Sequence, residues 1–418
     1  MARKLLAFLG TSNYGEVIYT LKDKEAPSQK FIQSSLAELL CNNWRDSDYI
    51  YIFLTKGAEE KNWPGLKETL DNLAEKSSLP FPKEHIIPVK DIPDGKDESE
   101  IWKIFNKIVK QIDDDDEIYF DITHGFRHLP MLAIIVLNYV RVVRKNINIG
   151  GIYYGAYEAR VNGIAPILEL KDFENLMRWT AGVDRFAGTG DASILSGLVN
   201  EKGLSEDSPE KKLVESMEEF GKIMATCRGR KIGEGAKAVK DSIEEFKISL
   251  ENESKPGMSP LIHLLGKIED KMAGFADDDI RNGLEAVKWC IEHNMTQQGY
   301  TILREVILTW LSGKHYGFES GEVYNRNKRE LFGSGLYCVD LPEDKWKPEE
   351  LKSNKNKIKV ENIRKIDNIT ELKKIFVDLG EYRNDINHAG CREDAKEVKD
   401  ILKNFEKCFK YTGDFLLK

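Results

Sequence analysis

Residues Asp121 to Pro130 read DITHGFRHLP, and they lie where one kind of regular structure hands over to another. Ahead of them, Glu117-Ile118-Tyr119-Phe120 alternates and is apolar enough for a strand. Behind them, Met131 to Val140 is long and apolar enough for a buried helix. Thr123, His124, Gly125, Arg127 and His128 therefore occupy a strand-to-helix turn. Open α/β sheets bind ligands at that edge, and the unpaired N–H groups of a helix start favour anions. Gly125 permits a tight turn or a close approach of backbone to ligand, and Arg127 offers a planar fork for phosphate. A plainer reading is a capped helix start, with Asp121 or Thr123 as cap and Pro130 in the first turn. The pattern leaves both readings open.

Outward from this turn, the first third of the chain alternates strand and helix. Lys4 to Leu9 reads as a buried strand ending in Gly10-Thr11-Ser12-Asn13-Tyr14-Gly15. Glu16 to Leu21, with a turn over Lys22 to Ser28, suggests a hairpin before the amphipathic stretch Phe31 to Leu40. Further strands are expected at Asp48–Leu54, His85–Val89 and Ile147–Tyr154, and helices near Leu66–Lys76 and over Glu100–Ile112. The acidic run Asp113–Asp116 reads as a solvated loop. Such alternation predicts a mainly parallel sheet covered by helices on both faces. In a Rossmann-like order, Gly10–Asn13 and Thr123–Arg127 share one sheet edge and line one pocket. Thr11, Ser12 and Asn13 bring short hydrogen-bonding groups, as an ordinary tight turn also would. GTSNYG is not G-x-G-x-x-G, and no G-x-x-x-x-G-K-[ST] occurs, which argues against the usual dinucleotide and P-loop chemistries.

The 418 residues suffice for two domains of about 100–200 residues each. From about Lys171 the pattern becomes helical, so a boundary is expected between 1–170 and 171–418. Helices are predicted over Phe173–Val183, Lys211–Cys227, Ala236–Ser249, Leu261–Lys271, Asp278–His293 and Met295–Trp310, with polar loops at Gly188–Pro209 and Lys255–Pro260. Lys345–Lys365 reads as loop; its eight basic and three acidic residues leave an excess of five positive charges that can attract a polyanion. The net charge of −8 argues against a general nucleic-acid coat. The N-terminus runs directly into a strand-like segment rather than a signal peptide. The apolar run after Pro130, broken by Asn138 and Arg141, is too short for a bilayer. Six cysteines, at 41, 227, 290, 338, 391 and 408, form no C-x-x-C pair; this suits a cytoplasmic, reducing setting and argues against structural zinc.

Near the C-terminus stands Arg383-Asn384-Asp385-Ile386-Asn387-His388, in a segment, Ile375–Ala389, that is helical or contains a turn. R-x4-H alone is a weak pattern, equally an exposed Arg and a hydrogen-bonded His. Five positions turn a helix by about 140° (about 100° per residue), so Arg383 and His388 should not share a face. A working pair needs an irregular turn or a second copy across a two-fold axis. Two His and two Arg would then transfer protons and stabilise charge on a phosphate, which suits metal-free RNA cleavage by a neighbouring 2′-hydroxyl. Asn384, Asp385 and Asn387 are placed to position the phosphate or the His.

GTSNY after the first strand and DITHGFRHLP after a later one resemble the CARF domains of CRISPR-associated proteins, and RNDINH in a helical domain resembles the HEPN ribonucleases. Together they look like the CARF–HEPN ancillary ribonucleases of type III CRISPR systems, over nearly the whole chain; the hairpin after Tyr14 departs from a plain strand–turn–helix start. The resemblance implies a fold of α/β plus all-α class: a Rossmann-like CARF sensor over 1–170 and a helical HEPN ribonuclease over 171–418. It implies a homodimer, or a higher assembly, that binds cyclic oligoadenylate and cuts single-stranded RNA. The activator would be cyclic tetra-adenylate, with cyclic hexa-adenylate as the other even ring; no metal or cofactor is implied. Gly10, Thr11, Ser12 and Asn13 would form one pocket wall and Thr123, His124, Gly125 and Arg127 the other. Arg383 and His388 would be catalytic, assisted by Asn384 and Asn387. The segment Lys171–Asp184 is the natural relay from sensor to nuclease. The rival readings are a sensor without catalysis and a CARF pocket that also degrades its ligand.

Overall fold

Alternating apolar residues place β1 (Arg3–Leu9) at the centre of the N-terminal unit. Leu5, Ala7 and Leu9 face one core, with Ile32, Leu36 and Leu66; Leu6 and Phe8 face another, with Ile104, Phe105, Leu129 and Val136. The sheet is thus buried on both sides, as the expected helical cover requires. The computed structural model describes all residues except 76–78, 126, 254–258, 277, 392 and 418, together with the side chains of 253, 259 and 355. Position 126 of the decisive turn, the expected end of a helix at Lys76 and most of the loop expected over Lys255–Pro260 lie outside the described residues.

The chain divides into compact units 1–177 and 178–418. In the first, β1 is followed by β2 (Ile18–Leu21), β3 (Lys24–Glu25), α1 (Ile32–Leu40), β4 (Tyr49–Leu54), α2 (Lys56–Lys61), α3 (Trp63–Glu75), β5 (Ile86–Val89), α4 (Glu98–Val109), β6 (Glu117–Asp121), α5 (Leu129–Val143), β7 (Asn148–Gly155) and β8 (Ile164–Glu169). The sheet order is β3-β2-β8-β7-β6-β1-β4-β5. From β7 to β5 all neighbours are parallel, and the order reverses at β1, the switch point of a doubly wound sheet. β8 joins β7 antiparallel; β2 and β3 form the hairpin after the first loop and extend the sheet beyond β8.

Two expectations fail here. Asp116 is buried rather than solvated: the ammonium of Lys4, itself buried, sits 2.6 Å from its carboxylate and 2.7 Å from that of Asp113. Burial alone would lower the Lys4 pKa, but the hydrogen bonds to Asp113 and Asp116 leave it raised. Neither Asp121 nor Thr123 caps α5; His128 is the N-cap residue, without a side-chain cap bond, and Pro130 lies in the first turn.

The second unit is helical. α6 (Lys171–Thr189) contains the division between the units and is followed by α7 (Ser193–Lys202), α8 (Pro209–Ala225), α9 (Ile232–Glu253), α10 (Ser259–Met272), α11 (Asp279–Glu292), α12 (Thr296–Tyr316), α13 (Arg326–Tyr337), α14 (Asn354–Arg364), α15 (Ile369–Asn387) and α16 (Val398–Leu416). α7 occupies the expected polar loop Gly188–Pro209, and α14 occupies half of the expected loop Lys345–Lys365. In α14 the buried pair Val360 and Ile363 supplies the apolar face that the lysines obscure. α12 packs on α11, α15 and α16, with Tyr300 stacked on Phe405 at 4.8 Å between ring centres. Among the described residues, no helix is long and apolar enough to cross a membrane.

Candidate functional site

The parallel pairing of β1 with β6 sets Ala7 opposite Asp121, so both strands release their loops at one edge. The structure therefore sets the loops after β1 and β6 side by side, with a Cβ at Gly10 falling 3.7 Å from His124 Cβ. Tyr14 joins them: its ring packs on the His124 ring at 4.5 Å, and its hydroxyl lies so close to Gly10 that a Cβ there would come within 2.5 Å. Thr11, Ser12 and Asn13 are exposed.

In the second loop Asp121, Thr123, His124, Gly125 and Arg127 differ in what holds them. Asp121 is fully buried; its Oδ1 accepts the Thr123 N–H at 2.9 Å, and burial pushes its carboxyl up to about 6. The Thr123 hydroxyl accepts the Gly155 N–H at 2.7 Å and so stitches the turn to β7. Gly125 adopts φ +134°, where a Cβ would also meet Leu129 Cδ2 at 2.5 Å, so no other residue fits unstrained. Burial lowers the His124 imidazole to about 4. It is neutral near pH 7 and offers one donor and one acceptor, suited to a hydroxyl or base edge rather than to charge. Arg127 is exposed. The turn thus presents one cation and one neutral imidazole above a buried scaffold.

Three residues in or near the first loop escape sequence reasoning as site residues. Tyr14 was visible in GTSNY but had no assigned role. Asn62 donates from Nδ2 to the carbonyls of Gly10 (2.9 Å) and Ser12 (3.0 Å), and Lys61 donates to that of Thr11 (2.7 Å). No local pattern signals these long-range bonds.

At the other motif, α15 stays helical through Asn387, and His388 is its exposed C-cap residue. Ala389 and Gly390 follow with φ +55° and +64°. The helix supplies no irregular turn between Arg383 and His388, and among the described residues no hydrogen bond joins them; Arg383 instead reaches Asn384 Oδ1 at 3.4 Å. Asp385 is buried, and its carboxylate accepts the Lys396 N–H at 3.2 Å, a bond that ties the end of α15 to the approach to α16. Asn387 accepts a hydrogen bond from Gln297 of α12 at 3.0 Å. Asn384 is exposed.

Cavities of about 220, 440 and 410 Å³ lie elsewhere in the helical unit, each lined by Asp279 and Tyr324. The Tyr324 hydroxyl donates to Asp279, and Arg230 lies 4.9 Å from its ring centre. No residue of either motif lines them.

Residues 4–158 match the family "CRISPR system endoribonuclease Csx1, CARF domain", and residues 175–275 match "CRISPR-associated protein MJ1674, second domain". The CRISPR-associated protein MJ1674 of Methanocaldococcus jannaschii is 26% identical over 314 residues, 74% of this chain. The chain spans 45% of that protein's length. A solved structure of Enterococcus italicus Csm6 bound to cyclic hexa-2'-fluoro-hexa-dAMP aligns over 99% of this chain and 94% of its own at 10% identity and a TM-score of 0.36. The doubly wound sheet with both loops at its switch point, and the family match across it, identify the N-terminal unit as a CARF domain like those of CRISPR-associated proteins.

Proposed function

We propose that this chain is a cyclic-oligoadenylate-activated, metal-independent endoribonuclease of type III CRISPR defence. The CARF loops bind the ring, and Arg383 and His388 of a HEPN-type site cut single-stranded RNA. The observation that carries the reading is that the loops after β1 and β6 meet, Gly10 and Tyr14 against His124, at the switch point of a family-matched CARF sheet. In the cleavage step, the RNA 2′-hydroxyl oxygen attacks the adjacent phosphorus and the bond to the 5′-oxygen breaks. One His388 takes the hydroxyl proton, and His388 of a second protomer gives a proton to the leaving oxygen. Arg383 offsets charge on the phosphate, and Asn384 and Asn387 orient the groups. The products are a 2′,3′-cyclic phosphate and a 5′-hydroxyl. The deciding experiment is labelled RNA incubated in EDTA with and without cyclic tetra-adenylate and cyclic hexa-adenylate. Cleavage that appears only with a ring supports the reading. Cleavage indifferent to both rings, or restored only by magnesium, rejects it.

The proton transfers need two copies, and α5 supports a homodimer. Met131, Ile135, Tyr139 and Val142 are 65%, 48%, 45% and 85% exposed and recur along one helical stripe. An apolar stripe of this kind on a surface helix marks an interaction face, and this one begins four residues after Arg127. A second copy seated there would bring both pockets to one axis, matching the even symmetry of a tetra- or hexa-adenylate ring. The double variant Ile135→Glu with Val142→Glu should sediment as a monomer and lose ring-activated cleavage. A dimer of unchanged stability would exclude this face.

Arg127→Ala should weaken ring binding by at least about 10- to 150-fold, the loss of one charged hydrogen bond of about 1.5–3 kcal/mol per protomer. Calorimetry with cyclic tetra-adenylate reads the change directly. Unchanged affinity would remove Arg127 from the site.

A further inference from the structure

The first CARF loop is shaped from outside both motifs. The first turn of α2 lies against it: a Cβ on Gly57 would lie 3.2 Å from Thr11 Cγ2. Asn62, at the junction of α2 and α3, is only 5% exposed, and its amide donates to the carbonyls of Gly10 and Ser12. The Lys61 ammonium donates to the intervening carbonyl of Thr11 at 2.7 Å. Three consecutive carbonyl oxygens are therefore held by donors from one neighbouring junction. Each is a partial negative charge that would repel a phosphate if turned to the ligand. Anion-binding concavities need the reverse arrangement, with N–H groups presented and carbonyls withdrawn. Lys61 adds something further. It is exposed, and an ammonium has three donors, so its bond to Thr11 leaves two for a ligand, together with its full charge.

We propose that Lys61 and Asn62 form a third wall of the ring pocket. Asn62 is a positioning residue that holds the Gly10–Ser12 carbonyls away from the ligand. Lys61 is a second cation, in addition to Arg127, that meets a phosphate of the ring. This rests on the reading of the CARF loops as a cyclic-oligoadenylate site.

The test is calorimetric titration of the full chain with cyclic tetra-adenylate and cyclic hexa-adenylate across a range of salt concentrations, with a thermal melt of each variant. Lys61→Met should weaken binding at least about tenfold and flatten the salt dependence by close to one charge per protomer. Lys61→Arg should restore most of both. Asn62→Asp keeps the shape but sets a carboxylate against two carbonyls. It should weaken binding at least about tenfold, because a carboxylate cannot donate to either carbonyl and adds negative charge beside the anion site. Wild-type affinity and salt slope in Lys61→Met would overturn the role of Lys61 even if Asn62→Asp fails to fold. Wild-type affinity in a folded Asn62→Asp would overturn the role of Asn62. Both results would leave the pocket reading intact. A wild-type chain that binds neither ring would instead reject that reading, and the third wall with it.

Discussion

His388→Ala is expected to lower ring-activated RNA cleavage by about 100- to 10,000-fold, the range lost with a general acid or base. Ring affinity should stay at the wild-type value, because His388 caps α15 in the helical unit while the CARF loops leave β1 and β6. The fold should also survive. His388 is exposed, and its helix is anchored by the Asp385 carboxylate on the Lys396 amide and by Gln297 on Asn387. Asp385→Ala makes an informative contrast. It should lower the melting temperature and disturb cleavage indirectly, whereas His388→Ala should leave melting unchanged. The measurement is the initial rate of cleavage of labelled RNA at saturating cyclic tetra-adenylate, in EDTA. Full activity in His388→Ala would mean that RNDINH is not the nuclease site, whatever the CARF pocket binds.

The largest expected effect on stability lies far from either motif. Lys4→Met should destabilise the N-terminal unit by about 3–5 kcal/mol, since it strands the buried Asp116 carboxylate without its cation. For a unit of 177 residues that corresponds to a fall of about 6–20 °C in its melting temperature. The double variant Lys4→Met with Asp116→Leu should recover much of the loss, because a buried pair replaced by apolar groups of similar size is close to neutral. Asp113→Ala should cost under about 1 kcal/mol, its side chain being 74% exposed. Differential scanning calorimetry of the three variants separates these cases. A Lys4→Met transition within about 2 °C of wild type would show that Asp116 is not dependent on the pair.

The parts of the fold legible in the sequence are those whose cause is local. Period-two and period-3.6 patterns found β1, β4, β6, α4, α5 and most of the large helices, and the turn signals around Lys22 found the β2–β3 hairpin. What escaped has identifiable reasons. α2 is six residues long and contains Gly57, too short to show a period. β8 carries Pro166, which weakens a strand reading. α14 shows Lys and Asn where its few buried positions are widely outnumbered. Lys4 and Asp116 are 112 positions apart, and Asn62 lies about 50 from the carbonyls it holds, so local reading assigned the first to a solvated run and the second to nothing. At the candidate site the sequence foretold that both loops share an edge, since that follows from strand alternation. It did not foretell that Thr123 would be committed to the Gly155 amide.

The ten letters of DITHGFRHLP are therefore held in place by unlike constraints. Asp121, Thr123 and Gly125 answer to burial, to a backbone stitch and to a left-handed turn. His124 answers to the Tyr14 ring packed on it at 4.5 Å, whereas Arg127 is exposed and nothing in the scaffold forbids another side chain of similar reach there. A lineage could let Arg127 drift while the others stand still, and the turn would survive the change of ligand. Descendants of one ancestral pocket would then keep the same outline and speak to different messengers, and shared outline alone would be a poor guide to which messenger each one hears.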